Sequence, residues 1–160
     1  MTLSYETQRE VELFLLNEAK LLDAGEFKAW LELYAPQGVY WMPSQPGQAD
    51  AKNVASIMYE DHAILAMRVR RLLEARALVL TPMPRTTHLI SNIEVTSDAP
   101  DQYVADAAFV YVEHQDGRQH IYSGRHTHHL VRRNGSFRIA LKRVALLDCD
   151  GKHSPITIPI

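Results

Sequence analysis

The run Tyr103-Val104-Ala105-Asp106-Ala107-Ala108-Phe109-Val110-Tyr111-Val112-Glu113, followed by His114-Gln115-Asp116-Gly117, decides the class of fold. β-branched and aromatic residues recur through it. Asp-Gly then supplies a residue that accepts the positive φ of a tight hairpin turn. Beyond the turn, Gln119 to Arg133 reads as a long strand, Asn134-Gly135 as a second hairpin turn, and Phe137 to Leu147 as the strand after it. Upstream, Leu89, Ile93 and Val95 alternate with His88, Asn92 and Glu94, the two-residue period of another strand. The second half of the chain is an antiparallel meander.

The first half reads as helix. Thr7-Gln8-Arg9-Glu10 has the capping-box form, and Val11, Phe14, Leu15, Ala19 and Leu22 then recur at three-and-four spacing. Gly25 ends that helix. A short second helix is expected from Glu26 to Tyr34, with Phe27, Trp30, Leu31 and Tyr34 on one side, until Pro36 and Gly38 break it. Val39-Tyr40-Trp41-Met42 is a short β-prone run stopped by Pro43, and Ser44 to Lys52 is a loop. The spacing predicts a third helix over Tyr59 to Leu73, and Thr81-Pro82-Met83-Pro84 ends the helical half. Helices followed by a meander make an α+β fold, a single domain over residues 1–160.

Composition narrows the function. The 160 residues carry 17 Lys and Arg against 19 Asp and Glu, a formal charge of -2, so the basic surface of a nucleic-acid binder is missing. Cys149 is the one cysteine. It allows neither an internal disulfide nor a zinc or iron–sulfur site built from several cysteines of this chain. Met1 to Glu10 lacks the apolar core of a signal peptide, and no apolar run reaches membrane-span length. A soluble, cytoplasmic protein with no membrane partner is expected.

Several strands carry apolar residues on both faces. Phe109 and Tyr111 oppose Val110 and Val112, and Ile139 and Leu141 oppose Val144 and Leu146. Three modest helices cover only one face. Either the sheet curls around a pocket, or its other face packs on another chain, as a large apolar surface on a soluble protein implies.

Candidate chemistry sits in three places. His126 and His128 share one face of a strand and are candidate metal ligands, although their own strand offers no carboxylate to complete a site. The other reading is of imidazoles bonded to neighbouring strands. Asp61 and His62, with Tyr40, Tyr59 and His88, are a candidate acid–base constellation for proton abstraction or dehydration. The alternative is an Asp61 paired with an arginine and a His62 on the helix surface. Arg68, Arg70, Arg71, Arg76 and Arg85 form a basic stretch suited to an acidic partner surface or to plain solvation. Phosphate loops, dinucleotide fingerprints and nucleophile elbows are absent from the sequence. Cys149 lies between Asp148 and Asp150, whose charges disfavour a thiolate.

The order of motifs resembles a known family. Glu18-Ala19-Lys20-Leu21-Leu22-Asp23-Ala24-Gly25, then Trp30-Leu31 and Tyr40-Trp41-Met42-Pro43, resemble the N-terminal helices and first strand of the small (beta) subunit of aromatic-ring-hydroxylating dioxygenases. Tyr59-Glu60-Asp61 with Arg68 to Leu72 resembles that family's third helix, and Pro84 to Asn92 its first long strand. Gly124-Arg125 through Leu130, Arg132-Arg133, Phe137 to Ala140, Arg143-Val144 and the tail Ile156 to Ile160 resemble its last hairpin and ending. Three departures stand out: Ala35-Pro36-Gln37-Gly38 where an acidic residue is common, His62 where arginine is common, and a strand with His126, His128 and His129 that is heavier in histidine than expected.

The resemblance implies a cystatin-like cone, shared with nuclear-transport-factor-two-like proteins and scytalone dehydratase, in which the N-terminal helices pack in the concave face of a strongly curved, mixed or antiparallel sheet. It implies a homotrimer of beta chains supporting three larger alpha subunits, with the Rieske cluster and mononuclear iron in alpha and no cofactor in this chain. On that reading the chain is a structural subunit without catalytic residues. Its interface residues are Tyr103, Phe109 and Tyr111 on the sheet, with Arg68, Arg71 and Arg85 facing alpha. The alternative is a stand-alone dehydratase or isomerase of the same cone, using Asp61 and His62 with Tyr40 or His88.

Overall fold

The computed structural model describes residues 3–74 and 82–160. Arg76 of the basic stretch and Thr81 of the expected helix stop lie outside these residues. The elements run α1 (Tyr5–Asp23), α2 (Phe27–Leu31), β1 (Tyr34–Pro43), β2 (Ser56–Asp61), α3 (His62–Leu73), β3 (Arg85–Ala99), β4 (Gln102–Gln115), β5 (Arg118–Arg133) and β6 (Ser136–Leu146). The strands form one six-stranded sheet in the order β2-β1-β6-β5-β4-β3. β1 and β6 run parallel and the other pairs antiparallel, so the sheet is mixed. The fold is the expected α+β arrangement. No helix among the described residues is long and apolar enough to cross a membrane.

Local chemistry moves three boundaries. Helix α1 begins earlier than the Thr7 capping box: Ser4 is its cap and accepts from the Thr7 amide at 3.1 Å. Helix α2 stops at Leu31 because the Leu33 carbonyl accepts from the Ile139 amide at 2.8 Å, which starts the pairing of β1 with β6. Tyr59 and Glu60 are not helical. They belong to β2, opposite Trp41 and Tyr40, and α3 starts only after Asp61, whose carboxylate accepts from the Ile64 amide at 3.0 Å.

Two bulges correct the expected strand faces. Asn92 has φ 53°, and the β3–β4 register shifts between Ser91 and Glu94. His88 therefore shares the inner face with Ile93 and Val95, while Leu89 is 57% exposed on the other face. In β6 the register shifts beside Ala140, because Leu130 pairs with Ile139 and His129 with Leu141. Ile139, Val144 and Leu146 then lie together in the core, and Leu141 turns away from them. An extra residue switches the alternation without turning the core face outward.

The core lies between the inner sheet face and the helices. Val11, Leu15 and Leu22 of α1 pack with Ala105, Ala107, Phe109 and Tyr111 of β4, and Leu65, Val69 and Leu72 of α3 with Tyr40 and Met42 of β1. Phe109 and Tyr111, expected at an intersubunit surface, are 3% and 0% exposed and fill this core. Their alternation partner Val110 carries the outward position.

Gly124 marks a close approach between β5 and β6. A Cβ there would stand 2.0 Å from the Ala145 carbonyl oxygen, a backbone atom that cannot rotate away. Gly124→Ala is expected to lower stability by roughly 1–3 kcal/mol, the cost typical of overpacking. Urea denaturation of the variant checks this, and an unchanged midpoint contradicts it.

Candidate functional site

One crosswise row of the inner sheet face holds three of the buried polar side chains, Glu60, His128 and Lys142. Register places Ala105 opposite His128, His128 opposite Lys142, Lys142 beside Tyr40, and Tyr40 opposite Glu60, so a single row crosses five strands. Each helix meets this row. Glu18 of α1 falls on the same stripe as Val11, Leu15 and Leu22, and its carboxylate is carried into the core with them. Glu18 Oε1 lies 2.7 Å from His128 Nε2, and Oε2 accepts at 2.9 Å from both Lys142 Nζ and Trp30 Nε1 of α2. Glu18, His128, Lys142 and Trp30 are all buried.

Burial alone raises the Glu18 pKa, but the Lys142 ammonium and His128 outweigh it and hold the carboxyl well below the carboxylate range. Burial lowers the Lys142 pKa, opposed by Glu18. His126 stacks on Phe109 at 4.1 Å and meets the His128 ring edge-on at 5.7 Å. Burial first, then Lys142 and His128, push its pKa well below the imidazole range. The chemistry of this group is ion pairing inside a packed interior. The space bounded by Glu18, His88, His126, His128 and Lys142 leaves no room for a water-sized molecule.

A second pair, partly buried, sits at the β2 end of the row. Arg68 of α3 grips Glu60, its Nε 3.1 and 2.9 Å from the two carboxylate oxygens and its Nη2 completing the fork. Next to it the Tyr40 hydroxyl accepts from the Ile160 amide at 3.2 Å and lies 3.4 Å from the Ile160 carbonyl. Burial raises the Tyr40 pKa. Ile156, Ile158 and Ile160 are buried, so the tail seals the space between Tyr40, Leu65 and Arg68.

The expected acid–base constellation does not assemble. Asp61 is exposed and caps α3, His62 is half-buried at the first helical position, and Tyr59 is 44% exposed. Tyr40 is bound to the tail. His88 is held elsewhere: its Nδ1 is 2.6 Å from Asp23 Oδ1, and its amide donates to Asp23 Oδ2 at 2.9 Å, at the C-terminal end of α1. Thr86 Oγ1 donates to the same carboxylate at 3.0 Å. Asp23 is held below the ordinary carboxylate value, burial being outweighed by its bonds from His88 and Thr86.

The expected metal pair is similarly engaged. His128 is bonded to Glu18 and His126 is stacked on Phe109. Among the described residues, no group of His, Cys, Asp and Glu is arranged to hold a metal ion. Of the expected interface residues, Tyr103 is half-buried edge-on to Phe137 at 5.5 Å, and Arg68 is committed to Glu60. Arg71 and Arg85 are exposed, Arg85 with Nη2 3.3 Å from His114 Nδ1. Glu18, Trp30, Glu60 and Lys142 carry the cluster, and sequence reasoning passed over them. A glutamate on an apolar helical stripe and a lysine in an apolar strand were the available signals.

Removing one member leaves a buried charge without its partner. Glu18→Ala is expected to destabilise the chain by roughly 3–5 kcal/mol, whereas Glu18→Leu combined with Lys142→Met recovers most of that loss. Chemical denaturation of both proteins tests the difference, and equal losses contradict it. The cluster also sets an acid limit. In the unfolded chain His126 and Glu18 bind protons more readily than in the folded one. Stability therefore falls with pH, first below about 6.5 for the histidine and again below about 4.3 for the glutamate. A melting temperature that stays flat from pH 7 to pH 4 contradicts this.

Comparison with known proteins agrees with this geometry. The family model for the ring hydroxylating beta subunit matches residues 17–150. The small oxygenase component of the p-cumate 2,3-dioxygenase system of Pseudomonas putida is 33% identical over 97% of this chain and 88% of that protein. The 2-halobenzoate 1,2-dioxygenase small subunit of Burkholderia cepacia is 42% identical over 92 residues, which span about half of each chain. Among solved structures, the beta subunit of the benzoate 1,2-dioxygenase of Burkholderia mallei superposes with a TM-score of 0.75 at 25% identity, covering 92% of this chain and 93% of that one. A chain of naphthalene 1,2-dioxygenase, solved with indole bound in the active site, reaches 0.78 at 19% identity, covering 91% of this chain and 81% of that one, a likeness of fold. The family model over residues 17–150 and the 33% identity along nearly the whole length lead to one conclusion: this chain belongs to the ring hydroxylating beta subunit family.

Proposed function

We propose that this chain is the structural beta subunit of a Rieske-type aromatic-ring-hydroxylating dioxygenase. A homotrimer of it supports three larger, iron-bearing alpha subunits in the cytoplasmic breakdown of aromatic compounds. The complex inserts both atoms of dioxygen into an aromatic ring, with electrons delivered from NAD(P)H through a reductase chain. The observation that carries the reading is the family match over residues 17–150.

The interior supports the structural role. Glu18 is tied to His128 and Lys142, and Tyr40 to the tail, contacts that hold the fold together and support that role. Neither iron centre fits this chain: among the described residues no group of His, Cys, Asp and Glu is arranged to hold a metal ion. A Rieske cluster takes two cysteines and two histidines, and Cys149 is alone and buried. The centres are therefore assigned to the alpha subunit, and no step of the chemistry is routed through this chain.

Purification of the tagged chain from its native extract, with mass spectrometry and iron analysis, tests the reading. The expected result is a larger chain carrying cysteine–histidine cluster motifs, present in equal amount and accompanied by iron. A chain that comes alone and without iron overturns it.

A further inference from the structure

We propose that α1 is a lid over the inner sheet face, released in mild acid when the enclosed His126 ring takes up a proton.

Three imidazoles lie under this helix. His88 of β3 and His126 and His128 of β5 share one closed space with Lys142 of β6, and Leu15, Glu18, Ala19 and Leu22 of α1 cover it. Each ring has one enclosed nitrogen without a hydrogen-bond partner: His88 Nε2, His126 Nε2 and His128 Nδ1. Such groups are rare in a folded interior and costly. His88 and His128 direct their other nitrogens at carboxylates of α1, Asp23 and Glu18. Among the described residues no carboxylate is paired with His126. Its ring lies flat on Phe109 of β4, 4.1 Å away at an interplanar angle of 11°, and meets the His128 ring edge-on.

The surroundings of His126 oppose a further cation. It faces Lys142 from β6, His128 from β5 and His88 from β3. From α1 it faces Glu18, which is already shared among Lys142, His128 and Trp30. Burial, then Lys142 and His128, keep the closed form neutral. A proton there would add an unpartnered N–H and a positive charge to a space that admits no water-sized molecule. Water reaches the ring only when Leu15, Glu18 and Leu22 move away, so the open form takes up the proton and opening is coupled to pH.

α1 is placed to move by itself. Gly25, with φ 73° and nothing within 4 Å of a Cβ there, joins it to α2. Its inner polar anchors, Glu18 and Asp23, both bind histidines of this cluster, and the pair of Glu10 with Arg132 is more exposed. α3 is held by Arg68 on Glu60, and the tail by Tyr40, contacts to which no histidine contributes. Acid therefore loosens α1 while α3, β1 and the tail stay in place.

The test is hydrogen exchange read by mass spectrometry on the full chain, corrected for the intrinsic pH dependence of exchange. One proton bound by the open form, with an ordinary imidazole value of about 6.5, raises the opening constant about 25-fold between pH 7 and pH 5. That loss of protection is expected across Val11 to Leu22, with protection across Leu65 to Leu72 unchanged. His126→Phe keeps a flat ring on Phe109 but binds no proton, and is expected to remove most of the change at α1. His126→Gln serves if the phenylalanine variant fails to fold. Parallel loss of protection in α1 and α3 is global unfolding and overturns the lid. The full wild-type change persisting in the folded His126 variant overturns the trigger. Protection of α1 that is the same at both pH values overturns the proposal outright.

Discussion

The structure depends on the carboxylate of Glu18. It joins α1, α2, β5 and β6 at once, through its own helix, Trp30, His128 and Lys142. A buried carboxylate costs several kcal/mol to desolvate, as does a buried ammonium, and the two recover that cost only when geometry and remaining hydrogen bonds are satisfied. Here both oxygens are used. The arrangement tolerates little sliding, because a one-residue slip of β6 against β5 would turn Lys142 to the outer face and leave Glu18 without its cation. Much of its contribution is therefore to fix helix position and strand register rather than to add net stability.

The rest of the sheet is consistent with that constraint. Lys142 is on the inner face only because β6 has an extra residue at Ala140. Without it, the alternation begun by Phe137 and Ile139 would continue inward through Leu141 and put Lys142 outside. The bulge at Asn92 does the same for β3, bringing His88 to Asp23 at one end while Ile93 and Val95 reach the core at the other. α1 is consequently held by Glu18 in its second half and by Asp23 at its end, besides the more exposed pair of Glu10 with Arg132. α3 is tied separately through Arg68 and Glu60, so each long helix has its own polar anchor in an otherwise apolar interface.

What was legible in the sequence follows the same division. The two hairpins were readable because Asp116-Gly117 and Asn134-Gly135 need positive φ, and all four residues have it. The first helix was readable because its apolar stripe has the helical period. Strand β2 was not, because Ser56 to Asp61 has no alternation of its own and is a strand only through its pairing with β1. The bulges were invisible for a related reason: an extra residue is defined by the partner strand, and the alternation around Leu89 and Leu141 looks regular from one chain segment. The interior cluster was half visible. His126 and His128 drew attention as a possible metal pair, but Glu18 reaches His128 across 110 residues of sequence, and no local pattern announces that contact. The resemblance to the dioxygenase beta subunits rested instead on the order of motifs along the chain, which does not require knowing which side chains meet.

Neighbouring residues on β6 show how fold and association are separated. Lys142 and Arg143 are adjacent cations on opposite faces of one strand. The inner one is balanced within the chain by Glu18, as a charge without water must be. The outer ones can stay unbalanced, since water covers them until another surface arrives. Thus Glu94 and Asp106 stand opposite one another, and Arg125 stays exposed, at modest cost in the solvated chain. When such a face is desolvated by contact, the same charges regain the strict pairing requirement that already governs Glu18 and Lys142. The inner row therefore selects one fold for the chain, while the outer rows leave their charges to solvent.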